Sequence, residues 1–152
     1  MSEEPKVEVI ERELCYRGFF RLERVHLRHS LHRGGMSPVL VREVLEKGDV
    51  VALLPYDPVT DSVVMIEQFR VGAIASAPSA WLLEIVAGLM EPGELPQDVA
   101  RREATEEAGL ALRRVEAIAR FFATPAKSSE LTHLFCGEVD ASAAGGVHGL
   151  RR

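Results

Sequence analysis

The sequence predicts an α/β fold of the α+β kind, in which strands precede and follow one strong helix. Apolar and polar residues alternate over residues 7–46, which is typical of strands. A helix is expected from Pro96, since proline is favoured at the first helical position, to Gly109, since glycine ends helices. Strand-like runs follow at residues 115–123 and 131–139. With 152 residues, 47% of them apolar, the chain is long enough to bury a core.

The first 47 residues are predicted to form a small antiparallel β unit. In "FFRLERVHLRH", Phe20 and Leu22, then Val25 and Leu27, lie two residues apart with charged residues between them. The stretch "HRGGMSP" (residues 32–38) is predicted to be a turn. Residues 39–48, "VLVREVLEKG", are predicted to form a further strand.

Residues 48–152 are predicted to form the second and larger domain. Apolar runs at residues 50–54 and 63–66 flank "PYDPVTD", whose proline and aspartates favour a turn, so a hairpin is expected. Residues 81–88, "WLLEIVAG", are predicted to be one short buried strand. The loop "GLMEPGELP" then leads into the helix "QDVARREATEEA".

Composition excludes several classes of protein. A net charge of -5 argues against general affinity for nucleic acid, which needs clustered Lys and Arg. The two cysteines, Cys15 and Cys136, lack metal-ligand spacing and are expected to be free thiols. We find neither a targeting sequence nor a run of about 18 apolar residues, and therefore expect a cytoplasmic protein with no membrane partner.

The predicted helix carries three glutamates close together, Glu103, Glu106 and Glu107. Carboxylates three and four residues apart lie on one side of a helix and repel one another. A hard divalent cation such as Mg²⁺ or Mn²⁺ would reverse this interaction, because such ions prefer carboxylate oxygen and bridge to phosphates. The alternative is that the glutamates simply face water. The glycine-rich loop before the helix favours the cation, since it can bring backbone groups close to the carboxylates.

The stretch from Gly88 to Leu110 resembles the Nudix box. In that motif a glycine and a glutamate are followed by Arg-Glu, then Glu-Glu, then a glycine and an aliphatic residue. Ala104 is the one departure, since it is smaller than the usual aliphatic residue, and it concerns packing beneath the helix. The matching positions are Gly88, Glu94, Arg102, Glu103, Glu106, Glu107, Gly109 and Leu110.

This resemblance implies an α/β/α sandwich with a mixed sheet and metal-dependent hydrolysis of a nucleoside diphosphate linked to another moiety. Glu103 and Glu107 would be the principal ligands of Mg²⁺ or Mn²⁺, and the carbonyl of Ala87 would complete the shell. Glu106 would be a further ligand or would orient a water. The resemblance assigns structural roles to the remaining motif positions, which are Gly88, Glu94, Arg102 and Gly109.

Stretches outside the motif resemble bacterial ADP-ribose pyrophosphatases over nearly the whole chain. They are "CYRGFFRL", "MIEQFR", "WLLEIVAG" and "GEVDA", and Pro125, sixteen residues after Gly109, matches the proline that marks this subgroup. The resemblance implies hydrolysis of ADP-ribose to AMP and ribose 5-phosphate. It also implies a homodimer in which the N-terminal β unit is exchanged and the site takes residues from both chains.

Five residues are candidates for contacts with the substrate. Arg42 and Arg70 suit a diphosphate, because arginine can grip phosphate in a bidentate manner. Phe19 and Phe20 are candidates for stacking on adenine, although phenylalanines of a core strand would show the same pattern. Leu89 is assigned to substrate binding by its place in the motif. For both arginines the alternative is a solvated strand residue.

The family pattern continues beyond "GVHGL" into an acidic loop, a strand and a closing C-terminal helix. The closing helix is absent from this chain, so residues 48–152 are expected to be an incomplete catalytic domain. Glu130 is the candidate to replace a glutamate of the acidic loop as general base. The alternative functions are another ADP-sugar or nucleoside diphosphate sugar pyrophosphatase, or a non-catalytic ADP-ribose-binding module, which need not keep the glutamates.

Overall fold

The computed structural model describes residues 6–75 and 78–149. Contacts between residues divide them into two compact units. The first unit contains residues 6–48 and 122–130. The second contains the described residues of 49–121 and 131–149. Residues 122–130 therefore group with the N-terminal part of the chain, although they follow the helix in sequence.

The first unit contains an antiparallel sheet in the order β1-β2-β3. The pairing places Val9 opposite Leu27, and Val25 opposite Arg42. The register of β1 against β2 shifts twice, so β1 carries two irregularities of the β-bulge type. The strands are β1 (Val7–Arg17), β2 (Arg21–His29) and β3 (Leu40–Glu46).

Charged side chains link the three strands of this sheet. Arg12 of β1 lies 2.9 Å from Glu23 of β2 and 3.6 Å from Glu46 of β3. Arg21 also pairs with Glu46. Residues 122–130 join the unit beside β3, because the N–H of Leu45 donates to the carbonyl of Lys127 at 2.8 Å. The three strands are antiparallel, and the extent of the predicted unit, residues 1–47, stays a prediction.

The second unit is built around strand β4 (Val50–Asp57). β4 pairs antiparallel with β5 (Ser62–Val63) and β8 (Val86–Leu89), and parallel with β10 (Leu131–Glu138). Strand β9 (Val115–Phe122) lies beside β10. The predicted hairpin at the start of this domain is formed by β4 and β5. The sheet is mixed, as a parallel and two antiparallel pairings meet at β4.

The stretch predicted as one buried strand is two strands that belong to different sheets, so that prediction is wrong. β7 (Trp81–Glu84) pairs antiparallel with β6 (Ile66–Phe69), whereas β8 pairs with β4. Trp81 is 57% exposed and Leu83 is 73% exposed. Trp81 instead makes an edge contact with Phe69 across the two-stranded sheet, with ring centroids 5.9 Å apart.

The helix α1 (Pro96–Ala108) ends as predicted. Gly109 follows it in the left-handed conformation, with φ of 66°, and the N–H of Leu110 donates to the carbonyl of Ala104. One side of α1 is buried against β4, β8 and β10. Ala104 is fully buried there, so the small residue at this motif position fits the close packing of the helix on the sheet. The core contains Val51, Leu53, Val86, Val99, Ala100, Ala104, Ala108, Leu110 and Val139.

The described end of the chain folds back on the second unit. Asp57, at the end of β4, accepts hydrogen bonds from the N–H groups of Val59 (2.8 Å) and Ala141 (2.9 Å). The N–H of Gly149 donates to the carbonyl of Glu106 at 2.9 Å, which satisfies one of the free carbonyls at the end of α1. The ring of His148 lies against Gly109. Residues 139–149 therefore contact the end of β4 and the C-terminal end of α1.

The structure confirms the predicted mixed α+β class. Across the described residues, α1 is the one α-helix, and it follows eight strands. Within the same residues, we find no helix with the length and apolar character needed to cross a membrane.

Candidate active site

Glu103 is the buried member of the three helix glutamates. It is 5% exposed, and its carboxylate lies against the backbone of Gly88 on β8. A Cβ atom at position 88 would overlap that carboxylate, so only glycine leaves room for it. Burial raises the pKa of Glu103, an effect that Arg102 reduces and that the charge of Glu107 reinforces.

Arg102 connects the helix to the loop that precedes it. Its Nη1 donates to Glu103 at 2.6 Å and lies 3.7 Å from Glu106. Its Nη2 donates to the carbonyl of Leu89 at 3.3 Å and to Glu94 at 3.4 Å. Burial opposes the charge of Arg102, but Glu103 and Glu94 outweigh this effect and hold the pKa of Arg102 above its usual value. The pair of Glu94 and Arg102 joins two positions to which the motif assigns structural roles.

Glu107 is held by two uncharged donors. The side-chain amide of Gln68 donates to Oε1 of Glu107 at 2.8 Å. The N–H of Ala87 donates to Oε2 at 3.1 Å. Ala87 thus contacts Glu107 through its N–H, whereas the resemblance assigns its carbonyl to a metal. That carbonyl ligand stays a prediction.

The chemistry of these residues fits a divalent cation. Three carboxylates supply the oxygen ligands that Mg²⁺ and Mn²⁺ prefer, and the missing Cβ of Gly88 makes a recess for one of them. In the part of the chain that the structure describes, no three acidic, histidine or cysteine side chains already converge as a metal site. The carboxylates have other partners instead. Arg102 donates a hydrogen bond to Glu103, and Gln68 and Ala87 donate hydrogen bonds to Glu107. A cation would replace Arg102 as the partner of Glu103.

Arg70, a predicted diphosphate ligand, is engaged by Glu84 across the β6–β7 pair. Its Nε donates to both carboxylate oxygens of Glu84 at 3.0 Å, and its Nη2 donates to Oε2 at 2.6 Å. These bonds to Glu84 raise the pKa of Arg70. A phosphate bound by Arg70 would compete with this bidentate pair.

Phe19 and Phe20 lie in the turn between β1 and β2, and both are exposed. They are therefore not residues of a core strand. Their rings meet edge to face with centroids 5.0 Å apart. The ammonium of Lys47 lies 3.5 Å from the centroid of Phe19, so an adenine could stack on that face only by displacing Lys47. A cavity of about 510 Å³ is lined by Phe19, Arg21, Glu46, Lys47, Gly48 and Ser129.

Arg42, Glu130 and Pro125 are the other predicted residues in the first unit. Arg42 is exposed on β3 and donates to the carbonyl of Val41 at 2.8 Å. The N–H of Glu130 donates to Ser128 Oγ at 3.1 Å, and the described residues supply no hydrogen bond or ion pair to its carboxyl group. Pro125 lies in the exposed segment 122–130. The roles of Arg42 and Glu130 stay predictions.

Sequence reasoning missed three residues, Gln68, Glu84 and Lys47. Each contacts a predicted site residue from a different part of the chain: Gln68 contacts Glu107, Glu84 contacts Arg70, and Lys47 contacts Phe19. Gln68 had a usable signal, because it lies two residues before Arg70 in the quoted "MIEQFR". An alternating strand places those two side chains on one face.

The model of the NUDIX domain matches residues 46–148. The chain belongs to the NUDIX family. The match covers α1, all three glutamates and the β8 backbone that Glu103 contacts. It begins near the end of β3 and therefore omits most of the first unit.

Relatives of this NUDIX chain extend the similarity to the first unit. It is 51% identical to an ADP-ribose pyrophosphatase of Escherichia coli (strain K12) over 144 residues, which are 95% of this chain and 69% of that protein. It is 44% identical to an ADP-ribose pyrophosphatase of Haemophilus influenzae over 147 residues, 95% of this chain and 68% of that protein. A GDP-mannose pyrophosphatase of Yersinia enterocolitica is 31% identical over 137 residues, 90% of this chain and 71% of that protein.

A solved structure shares the fold of this NUDIX chain. The crystal structure of an ADP compounds hydrolase superposes with a TM-score of 0.67 at 21% identity, covering 97% of this chain and 72% of that one. The comparisons confirm the predicted resemblance to Nudix ADP-ribose pyrophosphatases and the assignment of the chain to an enzyme family.

Proposed function

We propose that this protein hydrolyses the pyrophosphate bond of ADP-ribose, with a divalent cation, to AMP and ribose 5-phosphate. The observation that carries the proposal is the carboxylate arrangement on α1, where Glu103 lies in the recess left by Gly88 and Glu107 is held one turn away. The similarity to two ADP-ribose pyrophosphatases over 95% of the chain supports the choice of substrate.

Glu103 and Glu107 are the proposed principal ligands of Mg²⁺ or Mn²⁺, with Glu106 as a further ligand or the group that orients a water. When bound, the cation supplies charge neutralisation of the diphosphate and activation of water. The uncharged donors on Glu107 keep its carboxylate oriented without adding a positive charge that would repel the cation. Without the cation, Arg102 links Glu103 to the loop carbonyl of Leu89.

The reaction adds one water across the P–O–P linkage of the diphosphate. The water oxygen bonds to one phosphorus, and the bond from that phosphorus to the bridging oxygen breaks. The bridging oxygen leaves with the other phosphate, and the protons of the water pass to the products or to solvent. Arg70 is proposed to bind the diphosphate after exchange from Glu84, which places a guanidinium where negative charge must be held. Leu89 of the second unit, and Phe19, Phe20 and Arg42 of the first, are the further proposed substrate contacts.

The test is release of AMP from ADP-ribose by the purified chain, with Mg²⁺ and with a chelator. GDP-mannose and ADP-glucose serve as competing substrates, because a GDP-mannose pyrophosphatase is among the relatives. We expect AMP release that needs the cation and that is lost in Glu107→Gln. Faster turnover of GDP-mannose would move the proposal to that substrate. Binding of ADP-ribose without cleavage would support a non-catalytic module instead.

We also propose that the protein is a homodimer joined through its first unit. Every residue of β1 is exposed, including the apolar residues Val9, Ile10 and Leu14. Cover by a second copy would remove this apolar surface from water. Val9→Asp should shift sedimentation equilibrium towards monomer, whereas Val59→Asp, in the exposed turn after β4, should not. A wild-type protein that sediments as a monomer would contradict this proposal.

A further inference from the structure

Gln68 is a neutral side chain aimed at the helix that carries the glutamates. It lies on β6, where Ile66, two residues earlier, is buried in the core of the second unit. Side chains two residues apart on a strand share a face, so Gln68 projects towards α1 while Glu67 is exposed on the other side. Its amide nitrogen reaches Oε1 of Glu107 at 2.8 Å. An ionised carboxylate only accepts, which fixes the nitrogen and not the oxygen of the amide at that contact.

The carboxylate of Glu107 is fixed from two directions. Gln68 donates from β6 to one oxygen, and the N–H of Ala87 donates from β8 to the other. Since β6 and β8 belong to different sheets, the two donors hold the carboxylate plane as well as its position. Each oxygen of an ionised carboxylate can accept two hydrogen bonds. One acceptor position on each oxygen therefore remains for a cation.

The contrast with Glu103 shows what a neutral donor contributes. Glu103 is bonded to the guanidinium of Arg102, whose charge competes directly with a metal ion. Gln68 carries no charge and can keep its hydrogen bond when a cation binds Glu107. Partners of this kind orient metal ligands, and their loss typically weakens metal binding by about 10–100-fold.

We propose that Gln68 is a positioning residue: it holds the Glu107 carboxylate in the orientation that binds the divalent cation, and so sets the affinity for that cation. This inference rests on the proposed function, which makes Glu107 a metal ligand. Gln68 itself touches neither the cation nor the reacting phosphate. It acts through Glu107 alone.

The test is a titration of the metal-free 152-residue chain with Mn²⁺, in which free Mn²⁺ is measured by electron paramagnetic resonance. Gln68→Met keeps the length of the side chain and removes the donor, and Gln68→Leu removes it with a different shape. Gln97→Met is the matched control, because Gln97 is an exposed glutamine in the first turn of α1. Both Gln68 variants should bind Mn²⁺ about 10-fold more weakly. The control should match wild type.

Two further measurements separate positioning from a general structural role. Metal-free unfolding midpoints of the folded variants should stay close to wild type, and AMP release should recover when Mn²⁺ is raised about 10-fold to offset the weaker binding. Wild-type Mn²⁺ affinity in either folded Gln68 variant would overturn the inference. The Glu107→Gln variant distinguishes failure of the Gln68 inference from failure of the proposed function. If Glu107→Gln binds Mn²⁺ like wild type, the assignment of Glu107 as a metal ligand is itself wrong.

Discussion

Every residue of β1 is exposed, whereas β4 buries five of its eight residues. Both strands contain apolar residues, so the difference comes from what covers them. β4 lies inside a sheet with pairing partners on both sides and the helix packed against it. β1 pairs on one side with β2, and ion pairs link it to the neighbouring strands. The second unit is thus stabilised mainly by apolar burial, and the sheet of the first mainly by the pairing of its strands.

The largest effect should come from shortening a core side chain of β4. Leu53 is fully buried, so Leu53→Ala should lower the free energy of unfolding by about 2–5 kcal/mol through lost burial and a cavity. Leu14→Ala makes the same change on β1, where the residue is 47% exposed in one protomer, and should cost less than about 1 kcal/mol when the protein is dilute enough to be monomeric. Urea unfolding of both variants at low protein concentration checks this difference. Equal losses in the monomer would contradict the exposure of Leu14.

A smaller effect, on catalysis, should follow from filling the recess at Gly88. In Gly88→Ala the new Cβ would overlap the Glu103 carboxylate and move it, because the neighbouring backbone is fixed by pairing with β4. We expect kcat/KM for ADP-ribose to fall at least about tenfold, or ~1.4 kcal/mol. Gly72→Ala is the matched control, since a Cβ there meets nothing within 4 Å. A Gly88→Ala enzyme with full activity would show that Glu103 is not needed where the structure places it.

Acid should weaken the second unit through Asp57. Its hydrogen bonds from the N–H groups of Ala141 and Val59 lower the pKa of Asp57 in the folded chain. A lowered pKa contributes stability above the ordinary value of about 4 and loses it as the pH falls through the folded-state pKa. Asp57→Asn should therefore have a lower unfolding temperature than wild type at pH 7, and this difference should become smaller towards pH 3. Thermal unfolding of both proteins across this pH range measures the difference. Glu67→Gln, at an exposed position, is the control.

The smallest effect should come from the charges of the first unit. Arg12→Gln removes the side chain that joins Glu23 and Glu46, but the arginine is 52% exposed, and such pairs contribute below about 1 kcal/mol. Arg33→Gln removes the same charge from the turn between β2 and β3 and serves as control. The difference between the variants should shrink in 1 M salt, where the screening length is about 3 Å. A difference that persists in 1 M salt would indicate packing and not charge.

The features that sequence predicted best are those decided by near neighbours. Pro96 and Gly109 bound the helix because one lacks an N–H that the first turn does not use and the other adopts a positive φ. The family motif then selected the three glutamates as candidate site residues by their spacing, and their role stays a prediction. The prediction of one strand from Trp81 to Gly88 was wrong for the opposite reason. The two halves of this stretch pair with different strands, and a local sequence pattern contains no information about which strand is the partner.

The contacts of the candidate site residues were harder to predict from sequence than the choice of those residues. Arg70 was chosen for its charge, yet its partner Glu84 is set by the pairing of β6 with β7. Gln68 and Glu107 meet across 39 residues of sequence, and a glutamine gives no local sign of which carboxylate it will contact. Phe19 was a candidate for stacking, but only the structure shows Lys47 over its ring.

The parallel pairing of β4 with β10 has a consequence for how the protein is made. Thr132 lies opposite Val50, so the central sheet joins the first and last strands of the second unit. The ribosome releases β4 long before it has synthesised β10. Until then, Val51 and Leu53 of β4 lack the strand that pairs with theirs. Folds that depend on such distant pairings form slowly. The nascent chain therefore presents an apolar strand without its parallel neighbour for much of its synthesis, and exposed strands of this kind are prone to aggregate.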